Sequence, residues 1–490
     1  YLGPTSTGKA PFLAQTDNIG AIATGVPTKH YNYPNPIETS VQSFDHKDDD
    51  QNIFQMMGTL SPYFVSEDGW GVYNYALPGQ CSIKQLHFVQ RHGSRAPDSP
   101  FKFPERLRYA KGNGTFNAHG DLEFLNKWEY KEGVNILTTL GNNQLFNNGV
   151  KSFFRYGELF DWENFDKIVT RSTTEERMTM TAEYFLTGFF GLDWQKYADL
   201  ELLIEEAGFN NSLAAWDMCE NNGHTYGKIG YEQIANFTAK YLSDAVQRFN
   251  TNVQGFNFTT SDLYELQKIC AYETNNIGFS KFCGLFSQKE WENYGYYQSV
   301  SNYVSSSFGN PQGRALGAGW VEEFTDRLTN QTYNASTQAE QNSTLDSDPI
   351  FFPLDQSIYM DFTHDSQIVG ILTALGFEQF KTNWTFKGPE QDTHLFDISK
   401  ITPFAAQLAF EVIECDSKVP VDRSAESEEG SSSTKYVHAI LNDNTLSLSA
   451  NIPEYCESRV DGWCEFDKFV EYLETLYGTA NYDFACTGDY

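Results

Sequence analysis

Three short apolar runs constrain this chain more than any other feature: Ile83–Val89, Phe165–Thr170 and Ser357–Phe362. Each has the length of a strand rather than a helix and is bounded at once by polar residues. The first run ends in Arg91-His92-Gly93-Ser94-Arg95, the second in Arg171-Ser172, the third in Thr363-His364-Asp365. Helix signals follow the last two. Thr173-x-x-Glu176 reads as a capping box, with Met178, Ala182, Phe185 and Phe189 down one side. Ile368, Val369, Ile371, Leu372 and Leu375 predict a helix ended by Gly376. Strand, charged turn and helix in repetition predict an α/β domain. In such sheets functional groups gather beyond the carboxyl ends of the strands, so the three turns are expected to converge on one site.

A chain of 490 residues exceeds one simple core, so a second domain is expected. Residues 1–50, rich in Gly, Pro and Thr and without a clear period, read as an extended N-terminal arm, a candidate to cover a neighbouring subunit in a homo-oligomer. Residues 51–105, 161–200 and 346–490 are assigned to the α/β catalytic domain. Residues 106–160 and 201–345 are polar and aromatic at helical spacing, with breaks at Asn221–Gly223 and Gly309–Gly313, and are assigned to an inserted, mostly helical domain. Val421–Lys435 reads as a surface loop between strands.

The net charge of −31 opposes binding to a phosphate backbone, so no nucleic-acid partner is expected. It permits a small anion in a locally basic pocket, the more so near the sequence pI of 4.6, where long-range repulsion fades. No apolar run reaches the roughly 18 residues of a membrane span, so no membrane partner is expected either. The eight cysteines are even in number and form no C-x-x-C pair, which favours four disulfides in an oxidising compartment over buried thiols. Cys270 and Cys283, and Cys456 and Cys464, are close enough for local loops. Eight N-x-S/T sequons, at Asn113, Asn210, Asn236, Asn257, Asn330, Asn334, Asn342 and Asn383, and an opening Tyr1 without an apolar leader add to the expectation of a processed or truncated, secreted and glycosylated protein.

The three turns together supply Arg91, Arg95, Arg171, His92, His364 and Asp365. Arginine forks match phosphate oxygens, and three guanidiniums without carboxylate partners call for a bound polyanion as counter-ion. Between two arginines, the His92 imidazolium is disfavoured, and a neutral imidazole is a competent nucleophile toward phosphorus. Gly93 permits the tight bend beside it. A partly protonated Asp365 can give its proton to a departing alkoxide. The implied chemistry is phosphomonoester hydrolysis through a phosphohistidine, with the arginines stabilising the transferring group. Singly, Arg171 or His364-Asp365 is more often a salt bridge or cap; the weight rests on the pattern R-H-G-x-R-x-P, from Arg91 to Pro97.

That pattern resembles the signature of the histidine acid phosphatases, in the branch containing fungal and yeast phytases. Thr363–Ser366 looks like the family's distal His-Asp motif, and Arg171-Ser172 like its third arginine segment. Phe282–Tyr294, Gly309–Gly313, Pro403–Cys415 and Cys456–Cys464 also resemble the phytase branch, so that the likeness runs from about residue 60 to the end. The resemblance implies a mixed central sheet flanked by helices with a smaller helical domain inserted. It implies His92 as nucleophile, Asp365 as proton donor, and Arg91, Arg95, Arg171 and His364 on the scissile phosphate. It implies disulfides Cys81–Cys415, Cys219–Cys486, Cys270–Cys283 and Cys456–Cys464, and neither metal nor cofactor. The arm before residue 50 has no counterpart, and Ser172–Met178 carries two glutamates, Glu175 and Glu176, that could cap a helix or perturb the pocket.

Lys102, Arg106, Arg108 and Lys111 stand against a single Glu105 just after the catalytic turn. They are candidates for the outer rim of a phytate pocket, or for a solvated face. The phytase-like helical segment, Phe282–Tyr294, tips the expectation toward phytate over the alternative of a broad-specificity acid phosphatase. A phosphoglycerate-mutase-like enzyme would be cytosolic, where four disulfides would not persist. A metal-dependent phosphatase needs clustered Asp and His ligands, and a serine hydrolase a G-x-S-x-G elbow; neither pattern occurs. A non-catalytic secreted phosphate-binding glycoprotein would need the arginines but not His92 and Asp365.

Overall fold

The computed structural model describes residues 52–222, 227–331, 341–391, 395–428 and 430–489. The arm expected over residues 1–50 and the sequon at Asn334 lie outside them. In chain order the strands are β1 (Cys81–Arg91), β2 (Asn117–Ala118), β3 (Ile168–Thr173), β4 (Ala198–Leu203), β5 (Val253–Gln254), β6 (Ile358–Thr363), β7 (Gln407–Cys415), β8 (Thr434–Leu441), β9 (Asn444–Leu446) and β10 (Cys464–Glu465). The helices that matter to the site are α1 (Lys102–Gly112), α2 (Thr139–Tyr156), α3 (Glu176–Phe190), α4 (Gly227–Tyr241), α5 (Ser243–Thr251), α6 (Thr260–Ile277), α7 (Gln288–Ser306), α8 (Gly313–Thr329), the single turn α9 (Ser343–Asp346) and α10 (Asp365–Ala374).

The central sheet is mixed, in the order β10-β8-β7-β1-β6-β3-β4, with β9 on β8. β4, β3, β6 and β1 run parallel; β7 and β8 continue the sheet antiparallel. All four parallel strands therefore end at one edge. Side chains alternate between two cores, as the period of two requires. Leu408, Phe410 and Val412 of β7 join Trp320 and Phe324 of α8 and Ile368 and Leu372 of α10. Phe88 of β1 and Met360 of β6 join Tyr156 of α2 and Met178, Phe185 and Phe189 of α3 on the opposite face. A Cβ on Gly149 or Gly188 would collide with the backbone of the facing helix, which is how α2 and α3 pack so closely.

The strand expected over Phe165–Thr170 lies three residues later, at Ile168–Thr173. Phe165 packs instead against Phe160 and Tyr197, and pairing with β4 starts at Ile168 opposite Ala198. Thr173 is consequently a strand residue and caps nothing. Helix α3 starts at Glu176 with Glu175 at its N-cap and no side-chain capping bond. The helix expected after Asp365 ends near Gly376 at a positive φ of 70°, as its sequence suggested.

The division into domains also shifts. α2, placed by sequence in the helical insert, packs with α3 on the sheet, and α8 packs with α10 on the other face. The separate helical core is drawn from residues around 54–60, from α1 to Trp128, and from α5, α6 and the start of α7. The Gly309–Gly313 break separates α7 from α8, and Val421–Lys435 falls mainly between β7 and β8. The four disulfides pair as the resemblance implied: Cys81–Cys415, Cys219–Cys486, Cys270–Cys283 and Cys456–Cys464.

Behind the sheet edge lies a buried cluster of carboxyls around Arg171 and Arg327. Burial, with Glu323 beside them, pushes Asp346 up to about 9 and Asp326 up to about 7. Burial also raises Glu201 to about 7, against the pull of Arg171. The folded chain thus holds protons that the unfolded chain releases. This stabilisation is complete below the ordinary carboxyl range and is lost as pH rises through about 7 to about 9. Thermal unfolding across this range is expected to show a falling Tm, and Asp346→Asn to remove the uppermost part of the fall. A Tm that holds level to alkaline pH would contradict the assignment.

Candidate active site

The site is assembled at the carboxyl edge of β1, β6, β3 and β4. β1 ends at Arg91 and turns sharply through His92 and Gly93. A Cβ on Gly93 would stand 2.5 Å from Gly141 O, so the turn lies directly against the first residues of α2. Thr138, the N-cap of α2, donates its backbone N–H to Ser94 O at 2.9 Å and clamps the turn from that side. β6 ends at Thr363, and His364 and Asp365 open α10, whose N-terminal dipole faces the same space.

His92 is 1% exposed. Its Nδ1 lies 2.9 Å from Gly93 O. A carbonyl only accepts, so Nδ1 carries the hydrogen and the Nε2 lone pair is left free. Burial, followed by the charges of Arg91 and Arg95, holds the imidazole well below its ordinary value, so it is neutral in mild acid. Arg91, fully buried, donates to Thr59 O at 2.6 Å, Thr402 O at 2.8 Å and Asp365 Oδ2 at 2.9 Å, with its guanidinium over the Phe404 ring. Burial lowers it to about 10, which leaves it protonated. Arg95 donates to Ala96 O at 2.9 Å and Asp98 Oδ2 at 3.0 Å.

Asp365 differs from its expected state. Burial alone would raise its carboxyl, but Arg91, Arg95 and His364 outweigh it and hold the group below the usual range. Its Oδ1 also accepts from Ser366 N at 3.0 Å. The carboxyl is therefore held toward its ionised form by the guanidiniums beside it.

Arg171 does not reach this space. Because β3 continues to Thr173, Arg171 is an interior strand residue in register with Asp361. It donates to Asp361 Oδ1 at 2.8 Å and to Glu323 Oε2 at 2.7 Å, and is 1% exposed. Arg327 and Trp320 complete the shell around Asp361. Arg177, in the first turn of α3, stands at the site instead. It donates to Asn135 and to His364 Nδ1 (3.4 Å) and pairs with Glu175. Burial and the charge of Arg95 lower it. His364 is 4% exposed, donates from Nε2 to Glu205 Oε2 at 3.0 Å, and packs against Trp216. Arg177 and Glu205 escaped the sequence reading. The signal for Arg177 was present in S-T-T-E-E-R once the strand is carried to Thr173; Glu205, just beyond β4, carries none that distinguishes it.

The basic stretch after the turn does not act as one rim. Arg106 pairs with Asp262 and lies over Phe256; Arg108 is mostly solvent-facing beside Glu105; Lys111 donates to Trp128 O at 2.7 Å. Lys102 is exposed at the start of α1, seven residues past Arg95 in the chain. Among the described residues, Glu175, Glu205 and His364 bring possible metal ligands within 4.8 Å of one another. Arg177 already pairs with Glu175 and donates to His364 in that trio, so its charge opposes a cation there. The arrangement offers a free imidazole lone pair facing three guanidiniums and a carboxyl: a nucleophile, an oxyanion cradle and a proton carrier.

Residues 82–442 match the family model of the histidine phosphatase superfamily (branch 2). Phytase A of Aspergillus oryzae is 28% identical over 452 residues, covering 88% of this chain and 90% of that protein. Phytase A of Aspergillus fumigatus is 29% identical over 449 residues, covering 87% and 89%. Among solved structures, the phytase from D. castellii is similar in fold at a TM-score of 0.69 and 24% identity, covering 89% of this chain and 88% of that one. A multiple inositol polyphosphate phosphatase from Bifidobacterium longum, in complex with inositol hexasulfate, has a TM-score of 0.59 at 12% identity, covering 86% and 97%.

Two alanine variants separate the two arginines. Arg177→Ala is expected to weaken binding of inorganic phosphate by about 10- to 100-fold, the worth of a charge-assisted contact, while Tm barely moves. Arg171→Ala strips a partner from buried Asp361 and Glu323 and is expected to cost about 3–5 kcal/mol of stability. Calorimetry and thermal unfolding read both; the reverse pattern would return Arg171 to the pocket.

Proposed function

The chain belongs to the histidine phosphatase superfamily, branch 2, and we propose that it is a phytase, an acid phosphomonoesterase that releases phosphate stepwise from myo-inositol hexakisphosphate. The observation that carries the chemistry is His92: Nδ1–H donates to Gly93 O, and Nε2 is free among the guanidiniums of Arg91, Arg95 and Arg177. The substrate preference rests on the likeness to the two Phytase A proteins over most of the chain.

The scissile phosphate binds between Arg91, Arg95, Arg177 and the His364 edge, with the N-terminus of α10 beneath it. Its charge offsets that of the arginines and lifts the affinity of Asp365 for a proton. His92 Nε2 attacks phosphorus, the bond to the inositol oxygen breaks, and that oxygen takes the Asp365 proton. A phosphoryl group now sits on Nε2. Water then attacks phosphorus, the Asp365 carboxylate takes the water's proton, and the P–N bond breaks to release phosphate and neutral His92. The guanidiniums stabilise the charge on the equatorial oxygens in both steps. Lys102, exposed at the start of α1, is proposed to contact a neighbouring phosphate.

Secretion belongs to the same reading. Four disulfides suit an oxidising compartment, and Asn113, Asn236, Asn257, Asn330 and Asn383 are exposed sequon positions available for glycans. Among the described residues no helix is long and apolar enough to cross a membrane. A broad-specificity acid phosphatase is the second reading, favoured by the engagement of Arg106, Arg108 and Lys111 away from the pocket.

The deciding comparison is kcat/KM for phytate against p-nitrophenyl phosphate at about pH 5 with EDTA present. A preference for phytate is the expected result; equal or reversed values give the second reading. His92→Ala is expected to lower turnover of both esters by at least about a thousandfold. Asp365→Asn should slow phytate more than the phenolic ester, because phenolate departs without a proton. Equal losses would remove Asp365 from the role of acid.

A further inference from the structure

Glu205 touches none of the reacting atoms, yet its backbone is fixed at the edge of the sheet. β3 and β4 stay in register to Thr173 opposite Leu203, and the pairing continues past both strand ends. Thr174 donates its N–H to Leu203 O at 3.1 Å, and Glu205 donates its own to Thr174 Oγ1 at 3.0 Å. Asn211 donates to Leu203 O at 3.4 Å and to Ile204 O at 3.2 Å and closes the loop that follows. The Glu205 side chain is 7% exposed and meets His364. Glu206, the next residue, is exposed.

Glu205 Oε2 lies 3.0 Å from His364 Nε2. Burial would raise this carboxyl, and the hydrogen bond to His364 leads the contributions that hold it below its ordinary value instead. An ionised carboxylate only accepts, so Nε2 carries the hydrogen. Trp216, packed against the imidazole with ring centroids 5.1 Å apart, restrains its rotation. Nδ1 then presents a lone pair, and the atom facing it is Nη2 of Arg177 at 3.4 Å. A contact of this length depends on the tautomer. With the hydrogen on Nε2, Nδ1 accepts from the guanidinium; with the hydrogen on Nδ1, two N–H groups would face each other and push apart.

Arg177 needs such a hold. Its Nη1 is engaged by Asn135 and Glu175. Its Nε, like those of Arg91 and Arg95, is buried and has no partner among the described residues. Three such N–H groups at one pocket suit the oxygens of a tetrahedral oxyanion. The contact of Nη2 with His364 decides how the plane of the Arg177 fork is turned toward that anion.

We propose that Glu205 is a positioning residue: it fixes the tautomer of His364 and, through Nδ1, aims the Arg177 guanidinium at the scissile phosphate. The proposal rests on the phosphomonoesterase reading above for the identity of the anion. Glu205 is a negative charge near an anion site, so by charge alone its loss would tighten phosphate binding. As the group that aims Arg177, its loss loosens binding.

Inorganic phosphate is titrated calorimetrically at about pH 5 into the unaltered chain, Glu205→Gln, Glu206→Gln, Arg177→Ala and the Glu205→Gln/Arg177→Ala pair, with a thermal melt to check folding. Glu205→Gln is expected to weaken binding by about 3- to 10-fold, the worth of one hydrogen bond to a charged group. Glu206→Gln, which removes the same charge without the contact, is expected to stay within about twofold. In the Arg177→Ala background the loss from Glu205→Gln should vanish, because no guanidinium remains to be aimed. Histidine nitrogen NMR spectra should show His364 protonated at Nε2 and accepting at Nδ1 in the unaltered chain, with the other tautomer rising in Glu205→Gln. Tighter or unchanged binding in a folded Glu205→Gln, an equal loss with and without Arg177, or a hydrogen on His364 Nδ1 in the unaltered chain each overturns the proposal. If the binding pattern holds while the unaltered chain hydrolyses neither phytate nor p-nitrophenyl phosphate, the phosphomonoesterase reading falls and the role of Glu205 stands.

Discussion

Three guanidiniums and two imidazoles share one small volume at the edge of the sheet, and their mutual repulsion is the constraint that everything around them answers. Arg91 is held by two backbone carbonyls and Asp365, Arg95 by Asp98 and its own turn, Arg177 by Asn135 and Glu175. These partners fix direction without cancelling the charge; burial and then the residual field hold His92 toward its neutral form, and the same field holds the Asp365 carboxyl low against its burial. In the proposed reaction binding and activation become one event: the phosphate that enters supplies the charge that lets Asp365 hold a proton.

That arrangement needs a rigid backing, which the fold provides one layer behind. Arg171, Asp361, Glu323 and Arg327 form a buried, ion-paired network between β3, β6 and α8. It fixes the strands whose ends present His364, Asp365 and Arg177. Gly93 against Gly141 locks the turn of β1 to α2 in the same manner, by backbone contact rather than by side-chain packing. The active-site charges are thus positioned by elements that carry none of the chemistry.

Much of this was legible in the sequence, because strand ends are marked by abrupt changes in polarity. R-H-G-S-R and T-H-D both mark the ends of parallel strands, and they meet as the α/β pattern required. The error over Arg171 came from a strand whose last residues, Ser172 and Thr173, are polar but buried, so that hydropathy ended it too soon. Shifting the strand end by three residues exchanges Arg171 for Arg177 and turns a presumed cap residue into a ladder residue. The helices α2 and α8 read in sequence like the insert, and only their tertiary partners, α3 and α10, set them against the sheet. The basic run of α1 was visible as charge, but its neutralisation by Asp262 on another helix was not.

The central claim is that His92 carries the phosphoryl group. It is tested most directly by mixing the enzyme with substrate labelled on phosphorus, quenching in alkali within a turnover and mapping the label. The account predicts an alkali-stable, acid-labile label on the peptide containing His92, absent when His92 is replaced by alanine. Label on another residue, or steady turnover with none trapped on the protein, would contradict it.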